Sequence, residues 1–192
     1  MSGPATLLVI GIHREELAFG QQVAAGLEPG EVAVLRIGEG LSGRRPRADE
    51  RFRYDTLHRE LYHQLLSHVR KGGYRLVIDL HTGIDRDGPC ADIYCRDAAL
   101  RRCLGEAMGQ AHPAWLPRTR MLPICPTSRE PLKQPPSKVL PYAAGIMPDQ
   151  VWNNPAFGYA VLEVFLPEHR SQEARDWDYG RGLVRLIAGC GS

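Results

Sequence analysis

Long apolar runs are missing from this 192-residue chain. The strongest run near its start, Leu7 to Ile12, is broken by Gly11 and stops at His13. A membrane helix needs roughly 20 apolar residues, and a secretory signal needs a basic start and a longer apolar stretch. Neither is present, so the expectation is a cytoplasmic protein with no membrane partner. Cysteine is sparse too. Cys90, Cys95, Cys103, Cys125 and Cys190 are odd in number and show no C-x-x-C spacing. This argues against a disulfide framework or a cysteine zinc site and for buried free thiols. Nor is there a surplus of one charge. Lysine and arginine total 24, aspartate and glutamate 22, for a net charge of +2. A dedicated nucleic-acid binder would be strongly basic, so no nucleic-acid partner is expected. No G-x-G-x-x-G or phosphate-loop pattern occurs, which weakens a nucleotide-binding reading.

What is present is ordinary globular composition, with 43% apolar and 24% charged residues. The length suits one domain over residues 1–192 with its own core. Strand-like and helix-like segments alternate. Leu7–Ile10, Val32–Ile37, Leu76–His81, Ala91–Cys95 and Ala160–Phe165 read as strands from their β-branched apolar content. Residues 14–27 read as a helix ended by Glu28-Pro29-Gly30. Residues 55–70 form the clearest helix, with Asp55 as N-cap and Leu57, Leu61, Leu65, Leu66 and Val69 as its apolar stripe. Asp97 caps a helix to about Gln110, and a last helix runs from Ser171 to about Ala188. Nine of the fifteen prolines fall in residues 113–148, so that stretch reads as a functional loop or lid. Such alternation predicts an α/β sheet with helices on both faces and a site beyond the carboxyl ends of the strands.

Three places put costly polar groups where a plain core would not. His13 follows the first strand, and Glu16 lies three residues on, on the same side of a helical turn. An imidazole and a carboxylate so spaced can chelate a metal; alternatively, Glu15 and Glu16 simply suit a helix N-terminus. His81 ends a buried strand, with Asp79 on the same strand face. The pair suits either a satisfied core histidine or a metal ligand with its partner. If the first and third strands are neighbours, His13, Glu16 and His81 form a two-histidine, one-glutamate site with an open position, as catalytic zinc requires. The same donor set also suits ferrous iron. Glu163 sits inside the apolar strand Ala160–Phe165. It reads either as the proton acceptor for a metal-activated water or as half of a buried salt bridge.

Gly11-Ile12-His13-Arg14-Glu15-Glu16, Ile78-Asp79-Leu80-His81-Thr82-Gly83 and Leu162-Glu163-Val164 resemble, in order, three motifs of the zinc carboxypeptidase superfamily. The likeness is nearest to its succinylglutamate desuccinylase/aspartoacylase-like branch. The motifs span residues 7–165. The resemblance implies a mixed, largely parallel sheet and one Zn²⁺ held by His13, Glu16 and His81. It implies Glu163 as the catalytic base and Asp79 as the residue orienting a ligand. It further implies hydrolysis of an amide beside a carboxylate-bearing group, in an N-acyl amino acid or at a peptide C-terminus.

The chain departs from the family in lacking its Asn-Arg pair; Arg44, Arg45, Arg47, Arg51 and Arg53 occupy that region. Arg51 or Arg53 is a candidate replacement, because an arginine fork suits a carboxylate. A solvated basic loop is the plain alternative. The rival function is a non-catalytic anion- or protein-binding module on the same fold. The chain also looks too short for the additional C-terminal β domain of aspartoacylases. His58, His63 and His68 are five residues apart on one helix and cannot share a face, so they are read as surface residues.

Overall fold

Strands β1 (Thr6–Ile10), β2 (Ala33–Arg36), β3 (Leu76–Ile84), β4 (Cys90–Cys95), β5 (Thr119–Cys125), β6 (Tyr142–Ala143) and β7 (Gly158–Leu166) form one sheet, in the order β2-β1-β3-β7-β4-β5-β6. The computed structural model describes residues 4–86, 89–110, 118–125, 142–143, 147–167 and 173–191. Neighbouring strands run parallel, except that β4 runs antiparallel to β7. The sheet is therefore mixed and largely parallel, as expected.

Helices cover both faces. On one side, α1 (Leu17–Ala25), α3 (Ala98–Gln110) and α5 (Ala174–Cys190) bury Phe19, Val23, Leu104, Leu183 and Ile187 against Leu8, Ile10, Ile78, Leu80 and Leu162. On the other, α2 (Arg51–Gly72) and α4 (Asp149–Trp152) bury Tyr62, Leu65, Leu66, Val69 and Trp152 against Leu7, Val9, Val77 and Val161. The central strands are apolar on both faces because helices cover both, which is the pattern parallel sheets require. Leu100 N–H donates to the Asp97 carboxylate, so Asp97 caps α3 as predicted. Glu173 and Asp176 form a reciprocal capping box at the start of α5.

Three expectations are corrected. First, Cys103 and Cys190 form a disulfide. They lie on α3 and α5, which pack together, and their sequence separation of 87 hid the pair from any spacing rule. Cys90 and Cys95 are free thiols. Disulfides belong to oxidising compartments, so the cysteines no longer support a cytoplasmic location. Among the described residues, no helix is long and apolar enough to cross a membrane. Second, residues 119–125 of the proline-rich stretch are a strand rather than a loop. Residues 111–117, 126–141 and 144–146 lie outside the described residues, so the lid expectation for them does too. Third, α2 begins at Arg51, a turn before Asp55, and its inner stripe is His58, Tyr62, Leu65, Leu66 and Val69. Leu57 is 43% exposed. His58 is therefore not a surface residue. It continues the i, i+3/i+4 line of the buried side chains.

Candidate metal centre

The site is built at the carboxyl ends of β1, β3 and β7. After β1, Gly11 takes φ +85°, a region closed to most side chains, and an added Cβ would lie 2.6 Å from the Ile37 carbonyl oxygen. That turn delivers His13 to a 3-10 turn, Arg14–Glu16. The loop after β2 clamps it. Leu41 N–H donates to the Ile12 carbonyl and Arg14 N–H to the Leu41 carbonyl, both at 2.9 Å. The approach is close enough that a Cβ on Gly40 would meet the Gly11 carbonyl oxygen at 2.0 Å. Glu15 anchors the same loop, accepting from Ser42 and from Gly43 N–H. Its carboxyl is held down at about 2, these bonds outweighing the opposing effect of burial.

β1 and β3 are neighbours, with Ile10 level with Leu80. Their carboxyl ends therefore bring His13 and His81 together, with ring centroids 5.0 Å apart. Glu16 lies between them. Its Oε1 is 3.0 Å from His13 Nδ1, and its Oε2 is 3.0 Å from His81 Nδ1. Donor atoms of the three residues all lie within 4.8 Å of one another. Zinc bonds of about 2.0–2.2 Å set tetrahedral donor–donor separations near 3.3 Å, so the spacing fits one small cation.

The outer ring nitrogens are engaged as well. His81 Nε2 faces Asp79 Oδ1 at 3.2 Å, an ion pair whose angle falls short of a hydrogen bond. Asp79 is fully buried, and its other oxygen accepts from Tyr62 and Tyr159. Burial pushes the Asp79 carboxyl up, but His81 and the two tyrosines outweigh it and hold it below its ordinary value. His13 Nε2 lies 3.2 Å from Nε2 of His58. The inner nitrogens of both histidines thus converge on one carboxylate, where a cation is needed between acceptors. Without a metal, a proton on His81 meets part of that need. Burial lowers His81, but Asp79 and Glu16 prevail and raise it well above its ordinary value. Glu16 shows the converse: burial raises it, and hydrogen bonds from His13 and His81 bring it to about 2.

Glu163 is level with His81 on β3 and with Asp92 on β4, so the three polar residues form a row across three strands. Burial raises its carboxyl; the histidines oppose this, Asp92 and Glu16 add to it, and the net shift is upward. No arginine pairs with Glu163 among the described residues; Arg120 pairs with Asp92 instead, at 2.7 and 2.6 Å. Gly83 keeps the space beside Glu163 open. A Cβ there would come within 2.5 Å of the Phe165 ring and 3.3 Å of Glu163 Oε1.

Beside this cluster, Arg14, Arg44, Arg45, Arg47 and Arg53 line a cavity of about 720 Å³ that reaches Tyr54 and His58. Arg51 is exposed and does not line it. Sequence reasoning missed His58, Tyr62, Tyr159, Asp92 and Arg120. Asp92 was open to discovery by the argument applied to Asp79, a carboxylate inside an apolar strand; the others become visible only with the strand order.

No family model and no curated protein matches the chain. Similar solved structures include murine aminoacylase 3, at 13% identity and TM-score 0.47, covering 98% of this chain. This chain spans 65% of that one. A metallo-carboxypeptidase from Burkholderia cenocepacia is similar at 11% identity and TM-score 0.46, over 98% of this chain and 56% of its own. The catalytic domain of the N-acetylmuramoyl-L-alanine amidase CwlV from Bacillus (Paenibacillus) polymyxa is similar at 9% identity and TM-score 0.43, over 97% of this chain and 95% of its own.

Proposed function

We propose that this chain is a zinc-dependent hydrolase that cleaves an amide bond beside a carboxylate-bearing group. The observation that carries the reading is the convergence of His13 Nδ1 and His81 Nδ1 on the two oxygens of Glu16, each at 3.0 Å. Two imidazoles and a carboxylate leave an open coordination position, which distinguishes catalytic from structural zinc sites. When bound, zinc would supply a water whose pKa falls towards ~7.

The chain's own residues do the rest. Glu163 takes a proton from the attacking water at a carboxylate oxygen and returns it to the leaving nitrogen. Its raised pKa suits that double duty, since a carboxylate near its ordinary value is a poor acid at neutral pH. Asp79 holds His81 in place through Nε2. Arg53, with Arg44 and Arg45, binds the substrate carboxylate in the adjoining cavity. The lack of an Asn-Arg pair favours a second reading, a non-catalytic module that holds an anion in the same cavity.

Metal analysis of the purified chain, followed by a screen of N-acyl amino acids and peptides, separates the two. The hydrolase retains one equivalent of zinc and shows turnover that chelation abolishes, and His81→Ala loses both. Stoichiometric zinc in His81→Ala removes the metal assignment. A metal-loaded chain that binds the acids but turns none over is the binding module.

A further inference from the structure

His58 is 1% exposed, on the inner stripe of α2. A buried histidine is costly there unless both ring nitrogens find partners, and both do. Nδ1 lies 2.8 Å from the Tyr54 carbonyl oxygen, one turn back along the helix. A carbonyl only accepts, so Nδ1 carries the proton. That leaves Nε2 of the neutral ring as an acceptor, 3.2 Å from His13 Nε2. His13 Nε2 must then be the donor. That proton sits on the outer nitrogen, so with a cation in place between His13 and Glu16 the lone pair of Nδ1 is free to bind it. The ring of Tyr54 lies against that of His58, with centroids 3.9 Å apart, and restrains its rotation.

We infer that His58 is a positioning residue for the metal centre: by accepting the Nε2 proton of His13, it holds His13 in the tautomer whose Nδ1 can bind a cation. This rests on the reading of His13, Glu16 and His81 as metal ligands. The two ligand histidines are then oriented by different chemistry. His81 leans on the buried carboxylate of Asp79, which adds negative charge to the site, whereas His13 leans on a neutral imidazole that orients it without adding charge. A histidine that merely fills space under α2 would need neither the 3.2 Å contact nor the tautomer.

The test measures Co²⁺ and Zn²⁺ affinity of the full chain by competition with a chromophoric chelator, together with the absorption spectrum of the cobalt form. His58→Leu fills the space but removes the acceptor. It is expected to weaken metal binding about 10–100-fold, the usual effect of losing such a partner, and to shift the cobalt bands. His58→Gln offers an amide oxygen to His13 Nε2–H and is expected to restore most of the affinity. Wild-type affinity and spectrum in His58→Leu overturn the inference, as does a His58→Gln variant as weak as His58→Leu. Should His58→Leu fail to fold, the ring-nitrogen NMR spectrum of the zinc-loaded wild type decides. Protons on His58 Nδ1 and His13 Nε2 support the inference, and any other pattern defeats it. A wild-type chain that binds no metal defeats the underlying metal reading together with this inference; normal wild-type binding with an indifferent His58→Leu defeats the inference alone.

Discussion

Strand β3 carries two different surfaces on its two sides. Leu76, Ile78 and Leu80 face α1, α3 and α5 and belong to one hydrophobic cluster with Phe19, Val23, Leu183 and Ile187. Val77, Asp79 and His81 face α2, and there the strand changes from apolar to ionisable within three residues. Period-two alternation lets one strand serve both purposes. The comparison shows what a polar face requires. Leu80 needs only neighbours, whereas Asp79 and His81 need Tyr62, Tyr159 and Glu16 at fixed distances. Leaving a buried ion without its partner costs about 3–5 kcal/mol. The apolar face therefore holds the sheet together, and the α2 face spends part of that stability on the site.

The sharpest way to separate the two surfaces is to damage one and measure both. Glu163→Gln, on the α2 face, should keep the metal and lose hydrolysis by about 10²–10⁴-fold, the usual contribution of a general acid–base group. Unchanged turnover with an identified substrate rules out its assigned role. Leu80→Ala, on the opposite face, should do the reverse. A fully buried leucine replaced by alanine costs about 2–5 kcal/mol, read by denaturant unfolding, while metal affinity stays at the wild-type value. Loss of affinity in that variant would mean that the faces are not independent. Reducing the Cys103–Cys190 bridge, or replacing both residues with serine, should cost about 2–4 kcal/mol, again with the metal site intact, because the bridge ties α3 to α5 on the apolar side. Tyr159→Phe is the mildest change. It removes one donor to a charged group, worth about 1.5–3 kcal/mol, and leaves Tyr62 still bonded to Asp79. A larger loss of metal affinity than of stability would show that Asp79 is held in place chiefly by Tyr159.

Much of this was legible in the sequence, for reasons that can be traced residue by residue. β1, β3 and β7 are runs of β-branched and leucine residues, and His13, His81 and Glu163 stand out against them because polar residues in such runs are costly. The site could be assembled once β1 and β3 were taken as neighbours, as they are. The inner stripe of α2 was misread because it was traced through leucines. Leu57 and Leu61 lie one position from the true line, which runs through His58 and Tyr62, two side chains that a hydrophobic pattern does not count. β5 was hidden by its setting among prolines; Pro123 itself lies near the end of that strand, opposite Cys95. The disulfide was hidden by its length, since no local rule joins residues on two separate helices. What the sequence displayed was chemistry that local pattern makes unusual, and what it concealed were partners supplied by packing.

On the proposed reading, one cation sits between His13, Glu16 and His81. The decisive measurement is a calorimetric titration of metal-free wild-type chain with zinc, alongside the His13→Ala variant. Saturation at one ion per chain is expected in the wild type, with loss of that binding step in the variant. Heat that shows no saturable binding, or an isotherm the variant reproduces unchanged, would contradict it.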